Sequence, residues 1–503
     1  MTRKTIALLL TLAYLNLLMG CSYKTSRILS DEIGKLRPTQ TIVEVVLVTG
    51  EVITFSREGA RYNPARREIV GRTADGKKAE VSVDAVLYLR VKQVDAEKVL
   101  IKSFAGILVV GLVVVAIAMA AKESCPFIYS NDGEMYVFDA EPLGGAVCKA
   151  LTRTDLSRME HLKPVGGEYK LIVRNEVEET QYLDQIKLLA VEHPAGTEVI
   201  SDSSGQLWAI RSSRAPRAVR DENGADLSRF FADRDGISWQ SHLPAVSRDT
   251  TGLLRHELTL TFDKTGADSV FLLVNAGTAL WGSHMIREML SLRGAGLESW
   301  YEGVNSHGQD LFDLINFTYR EETYVLNLQV YRNGGWQTGK WLAGGGPLIL
   351  EDGLIPLDAS GTDGDSLRLR VMPPPGFWNI DYIGVVAGEP VKCAPLEMSL
   401  LSAEGLERGS LMEELQMIDG NYVEMPRVGD SFNLSFKATE AAPGMERALF
   451  LRSTGYYELH IDQSRPEQTE FIRTALNNPG TIARYAMEQY LNYSGMAMLG
   501  KTR

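Results

Sequence analysis

LTLTF at residues 258–262 decides the fold class: Leu258, Leu260 and Phe262 fall on one side of the chain, Thr259 and Thr261 on the other. A period of two is that of a half-buried strand. The pattern recurs in YVLNLQVY (324–331) and in LRLRV (367–371), where Leu367, Leu369 and Val371 oppose Arg368 and Arg370. VFLLVN (270–275) is apolar throughout and reads as a fully buried strand. Such strands, split by turns, predict an antiparallel β-sandwich over 256–390. A short helix over 284–293, capped by Ser283 and stopped by Gly294, interrupts it.

Outward from this sandwich the chain stays mainly β and multidomain. Toward the N-terminus, IVEVVLV (42–48), EVITF (51–55), REIVGRT (67–73), AEVSV (79–83) and VLYLRVK (86–92) predict a small β meander or barrel over 41–101. Residues 123–212 form a hairpin-rich module. Asn131-Asp132-Gly133 turns between two aromatic runs, and strands are expected at 169–175 and 184–192. Residues 213–255, rich in Arg, Asp, Ser and Pro, read as a linker. Beyond the sandwich, further strands are expected within 391–462, at 431–436, 447–452 and 455–461. Residues 463–503 hold helices near 466–477 and 481–493, separated by Asn477-Asn478-Pro479-Gly480.

Two apolar runs set the expected location. FAGILVVGLVVVAIAMAA (104–121) is 18 residues without a charge, bracketed by Lys102 and Lys122. As a helix it would be about 27 Å long, close to the roughly 30 Å of a bilayer core. It is read as a membrane-associated helix; the alternative is a buried segment of a large core. MTRKTIALLLTLAYLNLLMGC (1–21) has basic Arg3 and Lys4, one apolar run and small Gly20 before Cys21. That is the layout of a secretory signal, and Leu18-Met19-Gly20-Cys21 resembles the lipobox of bacterial lipoproteins. The resemblance implies removal of residues 1–20 and acylation, palmitate included, of Cys21. With Ser22 rather than Asp following, it further implies residence at the outer membrane; residues 21–40, polar and without periodicity, read as a tether. A lipid at Cys21 and a crossing at 104–121 would return the rest of the chain to the cytoplasm. A segment that enters the membrane without crossing keeps residues 122–503 periplasmic, and that arrangement is expected.

The chain has 503 residues, with 45% hydrophobic and 23% charged, enough apolar content for cores throughout. Its net charge of −12 gives no general attraction to nucleic acid. Of four cysteines, Cys125 and Cys148 either form a disulfide, which the periplasm permits, or are small core residues along with Cys393. No Cys/His spacing indicates zinc. The Cys-Pro-Phe start, Asp-Gly hairpin and Phe-Asp-Ala-Glu-Pro tail within 124–210 resemble a module of uncharacterised exported bacterial proteins. Trp378 through Tyr382 resembles the last strand of galactose-binding-like jelly rolls.

Candidate chemistry is sparse. Gly334-Gly335-Trp336-Gln337-Thr338-Gly339-Lys340 has P-loop spacing, but Trp341 stands where Ser or Thr must hold magnesium. Asn333-Gly334-Gly335 reads instead as a hairpin turn, and no cofactor is expected. The loop Asp358 to Asp365 is oxygen-rich, yet Leu369 occupies the twelfth position of an EF-hand pattern; a polar turn is expected and no metal. Trp336, Trp341 and Tyr331 are the candidates for ligand stacking, because aromatic faces suit sugar rings, whereas Trp281 and Trp378 adjoin buried strands. Glu321/Glu322 and Asp310/Asp313 are the carboxylate pairs that a glycoside hydrolase would need. The seven histidines are scattered and no nucleophile elbow exists. The expected function is therefore binding or scaffolding by an envelope lipoprotein. It would meet the membrane through the Cys21 lipid and residues 104–121, with an envelope protein or glycan as partner. The alternatives are a surface carbohydrate-binding protein and a glycan-processing hydrolase.

Overall fold

The computed structural model describes residues 23–94, 126–241 and 254–499, apart from 30–32, 34–35, 37–40, 50–51, 65, 74–75, 265, 363 and 408. Cys21, Cys125 and the run 104–121 lie outside the described residues. The chain divides into two compact units, residues 1–116 and 117–503. Among the described residues no helix is long and apolar enough to cross a membrane.

The first unit is one barrel-like antiparallel sheet of six strands. Its order is Tyr23–Leu29, Val86–Val94, Ile42–Leu47, Val52–Asn63, Glu68–Thr73 and Lys78–Ser82. Ile42, Val45, Phe55, Ile69, Leu89 and Val91 fill its core. Part of the stretch read as a tether belongs to this unit. Tyr23–Leu29 pairs along its length with Val86–Val94, and Ile33 and Leu36 are buried. Tyr-Lys-Thr-Ser-Arg-Ile-Leu has no clean alternation, so backbone pairing with a neighbour, invisible in sequence, makes it a strand.

In the second unit, two five-stranded sheets share one core. The first runs Leu400–Gly405, Ser431–Lys437, Glu168–Arg174, Phe127–Asn131 and Tyr136–Ala140. The second runs Leu396–Glu397, Glu179–Pro194, Met445–Leu459 and Arg153–Arg158, with Val423–Met425 also on Glu179–Pro194. Leu171, Val173, Leu188, Phe432, Leu434, Phe436, Leu451 and Tyr457 are packed between them. Strands from 127–194 and from 396–459 thus build the same sheets, so the stretches expected as separate modules at 123–212 and 391–462 form one body.

The sandwich is inserted between the halves of that body. Glu198–Ser201, Leu207–Ile210 and Val391–Cys393 form a small sheet where the chain leaves and returns. One sandwich sheet contains Ser213–Arg214, Trp378–Val386, Ser269–Thr278 and Glu351–Asp358, with Trp239–Gln240 on Trp378–Val386. The other runs Ala218–Arg220, Leu258–Asp263, Ser366–Val371, Val325–Arg332 and Gly335–Ala343. Leu258, Leu260, Phe262, Leu367, Leu369 and Val371 all face the core, as their alternation requires. Residues 213–241 are not a linker: three strands of two or three residues and the buried Phe231 tie them into the sandwich. Strands so short carry no readable period.

Helices α1 (Leu280–Ser291), α2 (Leu297–Asn305) and α3 (Gln309–Glu321) sit between two sandwich strands. The single expected helix over 284–293 starts earlier, after an extended Ala279, and Ser283 is buried within it rather than capping it. The C-terminus forms α4 (Thr469–Asn477) and α5 (Thr481–Leu499).

One long strand replaces the two expected at 447–452 and 455–461. Met445–Leu459 pairs with Glu179–Pro194 from Glu179↔Leu459 to Pro194↔Met445, interrupted by a bulge at Asp184. Buried Asp184 turns the bulge to use, accepting the backbone N–H of Asp419 (3.1 Å) and Gly420 (3.0 Å). Gly455 keeps the pair continuous, since a Cβ there would collide with the Tyr182 carbonyl oxygen. Gly455→Ala is expected to lower stability by about 1–3 kcal/mol, the usual cost of overpacking. Urea unfolding followed by circular dichroism checks this; an unchanged midpoint refutes it.

Candidate functional site

Tyr331 and Trp336 stand opposite one another across the hairpin Val325–Arg332/Gly335–Ala343. Its turn places Asn333 (φ 52°) and Gly334 (φ 78°) in the left-handed region, the geometry of a type I′ turn. The P-loop-like spacing is therefore a hairpin. Both rings lie on the outer face of the sheet, edge to face at 5.3 Å between centroids. The neighbouring strand supplies Arg368, 3.6 Å from the Tyr331 centroid, and Arg370, 4.6 Å from that of Trp336. Arg370 is held by Gln329 Oε1 at 2.6 and 2.9 Å and by Glu257 at 3.4 Å. The result is an interleaved stack of guanidinium groups and rings, each contact worth about 0.5–1 kcal/mol when exposed. A sugar stacking on either ring would compete with an arginine for its face.

Trp341 does not join this stack. It is 37% exposed and meets Tyr319 of α3 edge to face at 4.8 Å. The three predicted aromatics thus form two separate surfaces. Trp378 is fully buried in the sandwich core, and Trp281 packs against it.

The concave feature that sequence reasoning missed is a groove between α1–α3 and α4–α5. It has an apolar recess of about 120 Å³, where Met289, Leu290, Leu314, Phe317, Ile472 and Leu476 line the wall. A polar cavity of about 510 Å³ shares Arg293, Asp313 and Phe317 with the recess, and Arg320, Glu467 and Arg473 also line it. Arg293 pairs with Glu467 at 3.3 Å and lies over Trp300 at 5.1 Å.

The end of α3 builds the groove. Arg320 donates to the Ala475 and Leu476 carbonyls at 2.6 and 2.5 Å, satisfying the last turn of α4. Buried Glu321 accepts Arg320 Nε at 2.8 Å and the Gly480 N–H at 3.0 Å, placing a carboxylate at the N-terminus of α5. Glu322 has φ 55° and accepts the Asn327 N–H at 2.9 Å. Burial holds its carboxyl above the usual range, partly offset by Arg255. The Glu321/Glu322 pair therefore organises the chain. Asp310 and Asp313 both line the recess, and Asp313 accepts from Gln309 at 2.7 Å. The partners of Arg320 and Glu321 in α4 and at the start of α5 lie more than 150 residues away, so no local signal marks them.

A second group of acids lies along the seam between the β module and the sandwich. Glu351 accepts from Ser157 Oγ at 2.8 Å. Asp155 accepts Arg153 Nε at 2.7 Å and the Leu143 N–H at 2.7 Å, and Arg153 also donates to the Tyr324 hydroxyl at 2.9 Å. Burial, reinforced by Asp155, pushes the Glu351 carboxyl up to about 7. Nearby, Arg234 links Glu198 (2.7 Å) to Asp352 (2.6 Å). Asp381 is 2% exposed, accepts the Gly236 N–H at 3.2 Å, and is raised by burial to about 6. Raised carboxyls can mark catalysis, but Glu351 joins the sandwich to Ser157 of the β module, and Asp381 holds the Gly236 loop inside the sandwich.

Cys148 is a free, buried thiol that burial pushes up to about 11; Cys393 is also free and half-buried. In the loop after Leu357, Asp358 accepts the Ser360 N–H (2.9 Å) and hydroxyl (2.6 Å) and pairs with Arg332 at 2.6 Å. Those contacts, the Ser360 hydroxyl first, hold its carboxyl down at about 2. Among the described residues no group of three or more His, Cys, Asp or Glu is arranged to hold a metal ion.

No family model matches the chain, and no curated protein matches it. Among solved structures it is similar to a cycloalternan-forming enzyme from Listeria monocytogenes in complex with pentasaccharide substrate. That alignment has 10% identity and a TM-score of 0.16, and covers 73% of this chain and 29% of that one. It is also similar to the GH31 alpha-xylosidase from Xanthomonas citri, at 9% identity and a TM-score of 0.16, covering 85% of this chain and 32% of that one. The chain thus spans about a third or less of either enzyme, and at such TM-scores no fold or activity carries over.

Because the folded Glu351 carboxyl binds its proton more tightly than the unfolded one, its contribution to stability is present at low pH and is lost as pH rises from about 4.5 to 7. Glu351→Gln is therefore expected to stabilise the protein relative to wild type at pH 8 more than at pH 5. Thermal melts of both proteins across that range check it; a pH-independent difference refutes it.

Proposed function

We propose that the chain is a lipid-anchored protein of the bacterial envelope whose β-rich body binds or scaffolds at the membrane. Leu18-Met19-Gly20-Cys21, after a basic start and one apolar run, supports anchoring through Cys21. Residues 104–121 add a second membrane contact, and residues 122–503 stay periplasmic at the outer membrane.

The observation that carries the binding role is the groove between α1–α3 and α4–α5. Its apolar recess opens into a polar cavity with Arg293, Arg320 and Arg473 beside Asp313 and Glu467. Such a combination, apolar floor and charged rim, recognises a protein segment by burial at the centre and charge at the edge. Carbohydrate binding is the second reading, favoured by the exposed ring of Trp341. It loses ground at Tyr331 and Trp336, where arginines already cover ring faces. Glycan hydrolysis would need two carboxyls flanking an open site, whereas Glu351 and Asp155 lie in a seam.

Wild-type protein expressed with labelled palmitate is expected to carry the label, and Cys21→Ala to lose it. An unlabelled wild-type chain refutes the anchor. For the body, crosslinking to one envelope protein with a blank glycan array supports the scaffold. Array binding lost in Trp341→Ala favours the carbohydrate reading, and release of sugar from polysaccharide favours the hydrolase.

A further inference from the structure

Phe312, Ile315 and Tyr319 are 61%, 42% and 43% exposed. Spaced by three and four residues, they share one face of α3. The other side of this helix does the packing: Leu311 and Leu314 rest on the β-module core and Phe317 on the sandwich core. Asp310 and Asp313 line the groove. The exposed face between its apolar residues carries only the uncharged Gln309 and Asn316. Through its ring contact with Tyr319, exposed Trp341 extends the stripe from the helix onto the sheet edge.

The described chain resumes at Pro126, shortly after the uncharged run in sequence. Pro126 follows Ala121 by only five residues, a span of at most about 18 Å. Ile128 pairs with Ala140. The next residue, Glu141, accepts the Ile349 N–H at 2.7 Å beside exposed Leu348. Three residues further, Gly144 meets the Tyr324 hydroxyl, and the Tyr324 carbonyl accepts the Gly344 N–H at 2.7 Å, just past the strand that carries Trp341. Pro126, where the described chain resumes, and the apolar stripe are therefore joined through a path of direct contacts.

We propose that Phe312, Ile315, Tyr319 and Trp341 form a face that seats the second unit on the bilayer surface. This rests on the anchoring described under Proposed function and adds the surface by which the body meets the lipid. Tyrosine and tryptophan have an apolar ring and a polar handle, which suits the boundary between acyl chains and water. Uncharged polar neighbours cost little at that depth. The exposed face of α3 carries no charge, so the contact depends on apolar insertion more than on anionic headgroups. Four side chains make a shallow contact; tethering to the same membrane raises the effective concentration that lets it form.

The test uses full-length acylated protein in vesicles of phosphatidylethanolamine and phosphatidylglycerol, with part of the lipid brominated near the headgroup end of the acyl chains. Bromine quenches tryptophan within contact range. Wild type is expected to float with the vesicles and to show a quenched component that falls at least twofold in Trp341→Phe, and also in the exposed-site variant Phe312→Ser. Trp336→Phe is expected to leave it unchanged. Protein that floats with equal quenching in wild type and Trp341→Phe overturns the proposal. So does a photocrosslinker at position 312 that captures a protein and no lipid. Protein that does not float overturns the anchoring itself, and the seating face with it.

Discussion

The pairing of Glu179–Pro194 with Met445–Leu459 is the interaction on which the second unit depends. Both strands run through the shared core of the β module, and every other strand of their sheet pairs with one of them. Between them in sequence lies the whole sandwich. Closing so long an insertion is tolerable because loop-closure entropy grows only with the logarithm of length, about 0.6 kcal/mol per doubling. The chain ends that enter and leave the sandwich are also paired, Leu207 with Cys393 and Ala209 with Val391.

That arrangement explains where polar chemistry accumulates. The two bodies of the unit meet along a seam, and side chains from both line it. There Arg153 pairs with Asp155, Arg234 pairs with Glu198 and Asp352, and Glu351 accepts from Ser157. The helices are fixed by the same logic on a smaller scale. Arg320 and Glu321, adjacent in sequence, satisfy the end of α4 and the start of α5, and the groove follows from that clamp.

The aromatic residues show how tertiary placement redirects a correct local reading. Alternation placed Arg368 and Arg370 opposite the core, and they are there. What alternation does not encode is register between strands. Only the pairing of Gln329 with Arg370, and of Tyr331 with Trp336, brings guanidinium groups over the rings. Trp341 shares the hairpin, yet Tyr319 of the helix that precedes it decides its company.

Legible along the chain was whatever short-range chemistry governs: the β-rich class, strands with a clear two-residue period, the 131–133 and 333–335 turns, and the C-terminal helices around Pro479-Gly480. These depend on side-chain alternation and on the φ preferences of Asn and Gly, which act within a few residues. Contacts across the fold were needed to make 123–212 and 391–462 one body, to bring residues 213–241 into the sandwich, and to turn Tyr23–Leu29 into a strand. The same kind of contact made Glu321 a helix cap and left Phe312, Ile315 and Tyr319 facing outward. Each of those outcomes depends on hydrogen bonds or burial between residues far apart in the chain, and no local pattern records which distant partner a strand, a carboxylate or a helix face will find.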